Sequence, residues 1–512
     1  MSRLPAGQRS LLALAALAAC TGAPASEALA PRPDPLELAA GTITDVDVRA
    51  RIGFLASDAL RGRDTPSQGL EAAAAYLASE LGSMGLEPAG DPGSYLQRWP
   101  YEEKRMEAED ARLTASGAGD PPALVYGREF FALPGAADSV GATPVLLGGP
   151  PEEGASFPAE VRGRIVVLPL ATMGMHVLTL PRDLAAAGAV GVLYVLPDEV
   201  PAEAIAAVAG QMLRFSAAVP AFGVRREHAR ALLRAAGGES AEAALGAPPS
   251  SPLVLAGATV HLVARPRAVE HRVPNVAALL RGSDPALRDE YVVLSAHFDH
   301  VGVGAPDATG DSIYNGADDD ASGTAVVVEV AEAFASLPVP PRRSVLFLAV
   351  SGEEKGLLGS LWFADHATIP IEAVVANINM DMVGRNAPDT VVAIGQEYTS
   401  LGPLSHEVAL AHPALGLRVV EDLNPAEQAF FRSDHVAFLK KDVPSIFFTT
   451  WLHEDYHRPS DEVERIDAEK ASRVARLVFL LAHRVADDPE RPTWLGDGLD
   501  RVRAILRTAP FE

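Results

Sequence analysis

The 512-residue chain has one cysteine, Cys20, so it forms no intramolecular disulfide and no multi-cysteine zinc site. Basic residues are few beside acidic ones, 43 Lys and Arg against 67 Asp and Glu, for a formal charge of -24. Phosphate binding needs clustered Lys and Arg, so nucleic acid is not an expected partner. After residue 20 no stretch is long and apolar enough to cross a bilayer, and no repeat of solenoid type is present. What is present is a chain with 48% hydrophobic residues, long enough for two or three globular domains.

The first residues read as an export signal. Arg3 and Arg9 precede an apolar stretch, Leu11 to Ala19, that is too short to span a membrane. Leu17-Ala18-Ala19-Cys20 resembles the lipobox of bacterial lipoproteins, in which the signal is cut before a cysteine that is then acylated. On this reading residues 1–19 are a signal peptide, Cys20 is the lipidation site, and 20–42, rich in Ala and Pro, is a tether. The expected location is the cell envelope: the outer membrane if there is one, since Thr21 stands where an Asp would resemble an inner-membrane retention signal. Without the anchor the protein would be periplasmic or secreted.

Two helices are expected next, about Thr44 to Ser57 and Ser67 to Leu81, the second with Leu70, Ala74, Leu77 and Leu81 at helical spacing and Gly82 as its stop. Residues 118–256 then carry short apolar runs, RIVVLPL, VGVLYVL and VPAFGV, separated by Gly and Pro. This middle segment resembles the protease-associated domain inserted into many secreted peptidases and is expected to be mainly β, with the Pro-rich GAPPSSP (246–252) at its exit. From about 272 strands and helices alternate, which predicts a doubly wound α/β sheet flanked by helices, with ligands at the carboxyl ends of strands.

The polar clusters fall where apolar strands stop. His297 and Asp299 of HFDH follow YVVLSA, two apart, as a ligand and its orienting carboxylate would. GADDDASG (316–323) crowds three carboxylates that call for a cation. SGEEKG places Glu353 and Glu354 after SVLFLAV, pointing in different directions. NMDMVG puts Asp381 after VVANIN, where an unpaired carboxylate is costly to bury. DYHRPSD adds His457.

In that order, HFD, GADDDASG, GEE, NMDM, SDH and YHRPSD resemble the di-zinc exopeptidase family that contains secreted bacterial leucine aminopeptidases, glutamate carboxypeptidases and glutaminyl cyclases. The resemblance covers residues 43–117 and 257–488, leaving 489–512 as a tail. It implies two Zn²⁺, one held by His297, Asp319 and Asp381, the other by Asp319, Glu354 and His457. Asp319 is the bridge on family pattern alone, and a cis peptide between Asp319 and Asp320 comes with it. Glu353 is implied as the general base, Asp299 as the carboxylate behind His297, and Tyr456 and Arg432 as substrate-binding residues. The expected activity is removal of N-terminal residues from peptides. The alternatives are a carboxypeptidase or glutaminyl cyclase of the same family, or a non-catalytic binding module on the same fold. Side-chain preference and oligomeric state are not readable from the sequence.

Overall fold

The computed structural model describes residues 34–507 apart from 151–155, 172–175, 199, 214, 247–248 and 425–428. The signal peptide, Cys20 and the first part of the tether lie outside the described residues. Within the expected tether a short helix, Pro35–Ala40, starts at an Asp34 cap and buries Ala39. The expected tail likewise carries a helix, Gly498–Leu506, whose Val502 is buried beside Tyr398 and Leu439.

Nine strands form the large sheet, numbered along the chain as β1 (Glu87–Pro88), β2 (Leu96–Arg105), β3 (Arg267–Leu280), β4 (Tyr291–His297), β5 (Ser344–Val350), β6 (Val374–Met380), β7 (Thr390–Ile394), β8 (Arg418–Val420) and β9 (Ser445–Thr449). Their order is β1-β3-β5-β4-β6-β9-β7-β8, with β2 also paired to β3. The central strands β5, β4, β6 and β9 run parallel. Each is buried at every position, as a strand covered by helices on both faces must be. Helices Asp45–Leu55, Gly323–Ala335 and Ala468–Asp487 pack against one another on one face, as the expected α/β sandwich requires. The two early helices fall at Asp45–Leu55 and Gln68–Ser83, close to their expected bounds, although the second runs through Gly82.

Between β2 and β3 the chain builds a separate body with its own cores. Its six-stranded sheet has four parallel strands, Pro144–Leu146, Ile165–Pro169, Gly191–Leu196 and Ala221–Arg225, with an antiparallel strand at either edge. Helices His176–Ala186, Ala202–Met212, Arg226–Gly237 and Glu239–Gly246 go with it, so the insert is α/β and not mainly β. The reason is burial: Ile165–Pro169 and Gly191–Leu196 are buried on both faces and need helical cover. The join also lies further out than the sequence implies. Strand Thr259–Ala264 pairs with Ala111–Ser116 on one side and Ser139–Ala142 on the other, burying Leu113, Ala115, Val260 and Leu262 in the insert's core.

His435 tests the core beside the site. Its ring stacks on Phe447 at 5.0 Å and meets Phe430 edge-on, and burial lowers its pKa to about 3. The unfolded chain takes up this proton near pH 6.5 and the folded one only near 3, so stability is lost as pH falls through that window. Urea unfolding at pH 7 and pH 4.5 should show His435→Phe losing less on acidification than the native chain, by about 2 to 3 kcal/mol.

Candidate metal centre

The parallel strands deliver their polar ends to one place. His297 is the last residue of β4, and Asp381 follows the last residue of β6. Glu353 and Glu354 sit in the turn after β5, which Gly352 opens with φ 76°. His457 and Tyr456 come from the loop after β9, and Asp319 from the irregular turn Ala317–Ser322, which contains the expected cis peptide to Asp320.

The separations are those of donors around cations. His297 Nε2 lies 3.3 Å from Asp319 Oδ1 and 3.6 Å from Asp381 Oδ1. His457 Nε2 lies 3.1 Å from both Asp319 Oδ2 and Glu354 Oε2. Asp319 thus offers one oxygen to each group, as a bridging carboxylate would. Two sets of donors converge, His297 with Asp319 and Asp381, and His300 with Asp319, Glu354 and His457. They fit divalent cations by their chemistry, and Asp319 Oδ2 and Glu354 Oε1 are buried without an aligned hydrogen bond. Burial opposes charge on Asp319, yet His300, His297 and His457 hold its carboxyl well below the usual range. Burial likewise opposes a proton on His457, but Glu354 and Asp319 raise its pKa to about 10. Imidazolium protons here balance the charge that a cation would take over, so metal uptake should release protons.

The structure separates the three adjacent aspartates. Asp318 Oδ1 accepts the Gly384 N–H at 2.6 Å, and Asp320 Oδ1 accepts those of Gly323 and Met382. Of the three, only the Asp319 carboxylate is turned to His297 and His457, while Asp318 Oδ2 faces His453. The two glutamates also divide: Glu354 faces His457, while Glu353 Oε2 stands 3.9 Å from His297 Nε2. Burial raises Glu353 well above the usual carboxylate range.

Asp299 differs in detail from its expected role. The strand ends at His297, so the two residues do not share a strand face, and the nearer acceptor for His297 Nδ1 is the Asp299 carbonyl, at 3.2 Å against 3.6 Å for the carboxylate. The carboxylate accepts from the Glu353 N–H at 3.2 Å and from the Thr65 hydroxyl at 3.0 Å. It therefore ties the turn of the glutamates to the loop after β4.

Tyr456 and Arg432 do reach the site. They line, with Met382, Phe447, Trp451 and Leu452, a cleft that opens on His297, Asp319, Glu353 and Asp381. Tyr456 stacks on His457 at 4.0 Å, and its hydroxyl accepts from Arg432 at 3.2 Å.

Several supporting residues were not found by the sequence reading. Arg63, fully buried, donates to the carbonyls of Phe298, Asn315 and Gly316, and also to that of Leu55. Asp461 accepts the N–H groups of Asp318 and Asp319, locking the loop of His457 to the turn of Asp319. Asp381 Oδ2 accepts from Ser433, which accepts from Asn379, whose carbonyl accepts from Ser295. The one available signal was composition, since Arg63 lies in the short polar run RGRDTP between two helices.

The model of peptidase family M28 matches residues 275–482. A probable zinc metalloprotease of Leptosphaeria maculans is 28% identical over 43% of this chain and 59% of its own. Aminopeptidase YwaD of Bacillus subtilis is 28% identical over 40% of this chain and 43% of its own. The chain thus spans between about two fifths and three fifths of the length of these curated relatives. An aminopeptidase from Aneurinibacillus sp. strain AM-1 shares the fold over 89% of this chain and 97% of its own, with TM-score 0.56 and 19% identity. A zinc aminopeptidase from Bacillus subtilis does so over 88% and 96%, with TM-score 0.54 and 18% identity. The fold likeness therefore extends well beyond the M28 segment.

The division of the glutamates is testable in the M28 segment by metal content alone. Glu354→Gln removes an anionic donor and should lower the bound metal, whereas Glu353→Gln should retain it. Elemental analysis after gel filtration checks both, and the reverse pattern would exchange their roles.

Proposed function

We propose that the protein is a two-zinc aminopeptidase. One observation carries this reading: Asp319 presents its two oxygens to two separate groups of donors, with Glu353 beside the first of them and an open cleft in front. His297, Asp319 and Asp381 would hold one ion, and Asp319, Glu354 and His457 the other. Bound there, zinc supplies Lewis acidity, bringing a water's pKa down to about 7 and polarising the scissile carbonyl. Glu353 takes the proton from the attacking water and delivers it to the departing amine, and its raised affinity for a proton suits both halves of that task. Asp299 holds the backbone of Glu353, and Ser433 holds Asp381. The apolar walls Met382, Phe447 and Leu452 exclude water, while Tyr456 and Arg432 position the peptide. Support for an aminopeptidase within the family comes from the names of YwaD and of the Aneurinibacillus enzyme.

No described residue of the insert belongs to either donor group, which supports a protease-associated role in substrate access and not in the chemistry. Cys20 is proposed as the lipid anchor on the strength of the Leu-Ala-Ala-Cys pattern, which places the enzyme at the cell envelope.

Removal of metal by a strong chelator should abolish hydrolysis of aminoacyl amides, and zinc should restore it. Activity on N-blocked or C-terminal acidic peptides in place of free aminoacyl amides would move the reading to a carboxypeptidase, and full activity in metal-free protein would end it. Glu353→Gln should lower kcat by roughly 10² to 10⁴. Mass spectrometry of the mature N-terminus should find an acylated Cys20. An unmodified peptide starting beyond it would leave a freely secreted enzyme.

A further inference from the structure

His300 is fully buried, and neither ring nitrogen makes an aligned hydrogen bond. Its Nδ1 lies 2.8 Å from Glu354 Oε1 and 3.7 Å from Asp319 Oδ2, two oxygens equally without aligned partners. His457 Nε2 completes the set at 3.1 Å from Asp319 Oδ2 and from Glu354 Oε2, and donor atoms of all four residues lie within 4.8 Å of one another. Donors of a tetrahedral zinc site are about 3.3 Å apart, given metal–ligand distances near 2.0 Å. The observed separations fall on either side of that value. The chain makes room for this ring at Gly316, whose φ is 59° and where a Cβ would stand 2.5 Å from His300 Cγ.

The geometry points to His300 as a fourth protein donor beside Asp319, Glu354 and His457. This rests on the zinc reading above and refines it, because the two positions then differ in kind. The His300 position has four protein donors, the number found in structural zinc sites, and holds its ion tightly. The His297 position has three, the number found in catalytic sites, and keeps a place for water next to Glu353. The ions therefore load in sequence, the four-donor position first.

X-ray absorption on the stripped native protein given one equivalent of zinc should show two imidazoles around the metal. A single imidazole overturns the assignment, because every arrangement without His300 has one. Competition with a fluorescent chelator should give two binding steps, and His300→Ala should weaken the tighter by at least ten-fold while leaving the weaker unchanged. An unaltered tight step in a variant whose circular dichroism and melting match the native chain would also overturn it. If the variant does not fold, the absorption measurement on the native chain decides alone. Failure of the underlying zinc reading looks different: the native protein would then take up no zinc at all.

Discussion

Burying a carboxylate among other carboxylates is the constraint around which this molecule is arranged. Asp319 is 3% exposed, with Glu353, Glu354, Asp381 and the flanking aspartates of its own turn close by. Such a group persists only where positive charge and N–H donors surround it. The protein provides them from distant parts of the chain: His297 from one strand end, His457 from a loop, the guanidinium of Arg63 from an N-terminal turn. The parallel order of β5, β4, β6 and β9 brings these strand ends to one edge, so the sheet and the polar centre explain each other.

The supports are as ordered as the donors. Asp318 and Asp320 each give one carboxylate oxygen to backbone N–H groups, and this fixes the turn so that the Asp319 carboxylate faces His297 and His457. His453 adds a further tie, since its Nδ1 accepts the Asp455 N–H and its Nε2 then faces Asp318 Oδ2 at 3.3 Å. Metal ligands held this way lose affinity when the outer partner is removed, commonly by about 10- to 100-fold. Asp461, which grips two successive N–H groups from across the site, is a partner of this kind.

The donors were legible because apolar runs of five to seven residues mark buried strands and the polar residue ending each run marks the sheet's carboxyl edge. His297 and Asp381 were found in this way, and Glu353 and Glu354 almost as directly. Choosing Asp319 among three neighbours needed either family likeness or the backbone contacts now seen. Arg63 and Thr65 were not legible, since their contacts with Phe298 and Asp299 span more than two hundred residues; Asp461 closes the DYHRPSD cluster, but its grip on Asp318 and Asp319 is likewise a contact across distant parts of the chain. The insert was misread for a related reason. Its apolar strands are conspicuous, whereas a helix such as Ala202–Met212, mostly small residues, has little periodicity to show.

The long ribbon of β2 and β3 bears on how such a chain can be assembled. Arg105 and Arg267 are direct partners across it, so the backbone leaves the large sheet and comes back to it at the same point. Seen from the sheet, everything between them is one oversized hairpin loop. The entropy of closing a loop rises only with the logarithm of its length, about 0.6 kcal/mol per doubling, so a whole folded body costs the sheet little more than a modest connection. The strand ends that carry His297, Glu354 and Asp381 all lie outside that loop in the chain. The ribbon is thus a splice point at which this architecture can gain or shed an accessory without retuning its chemistry.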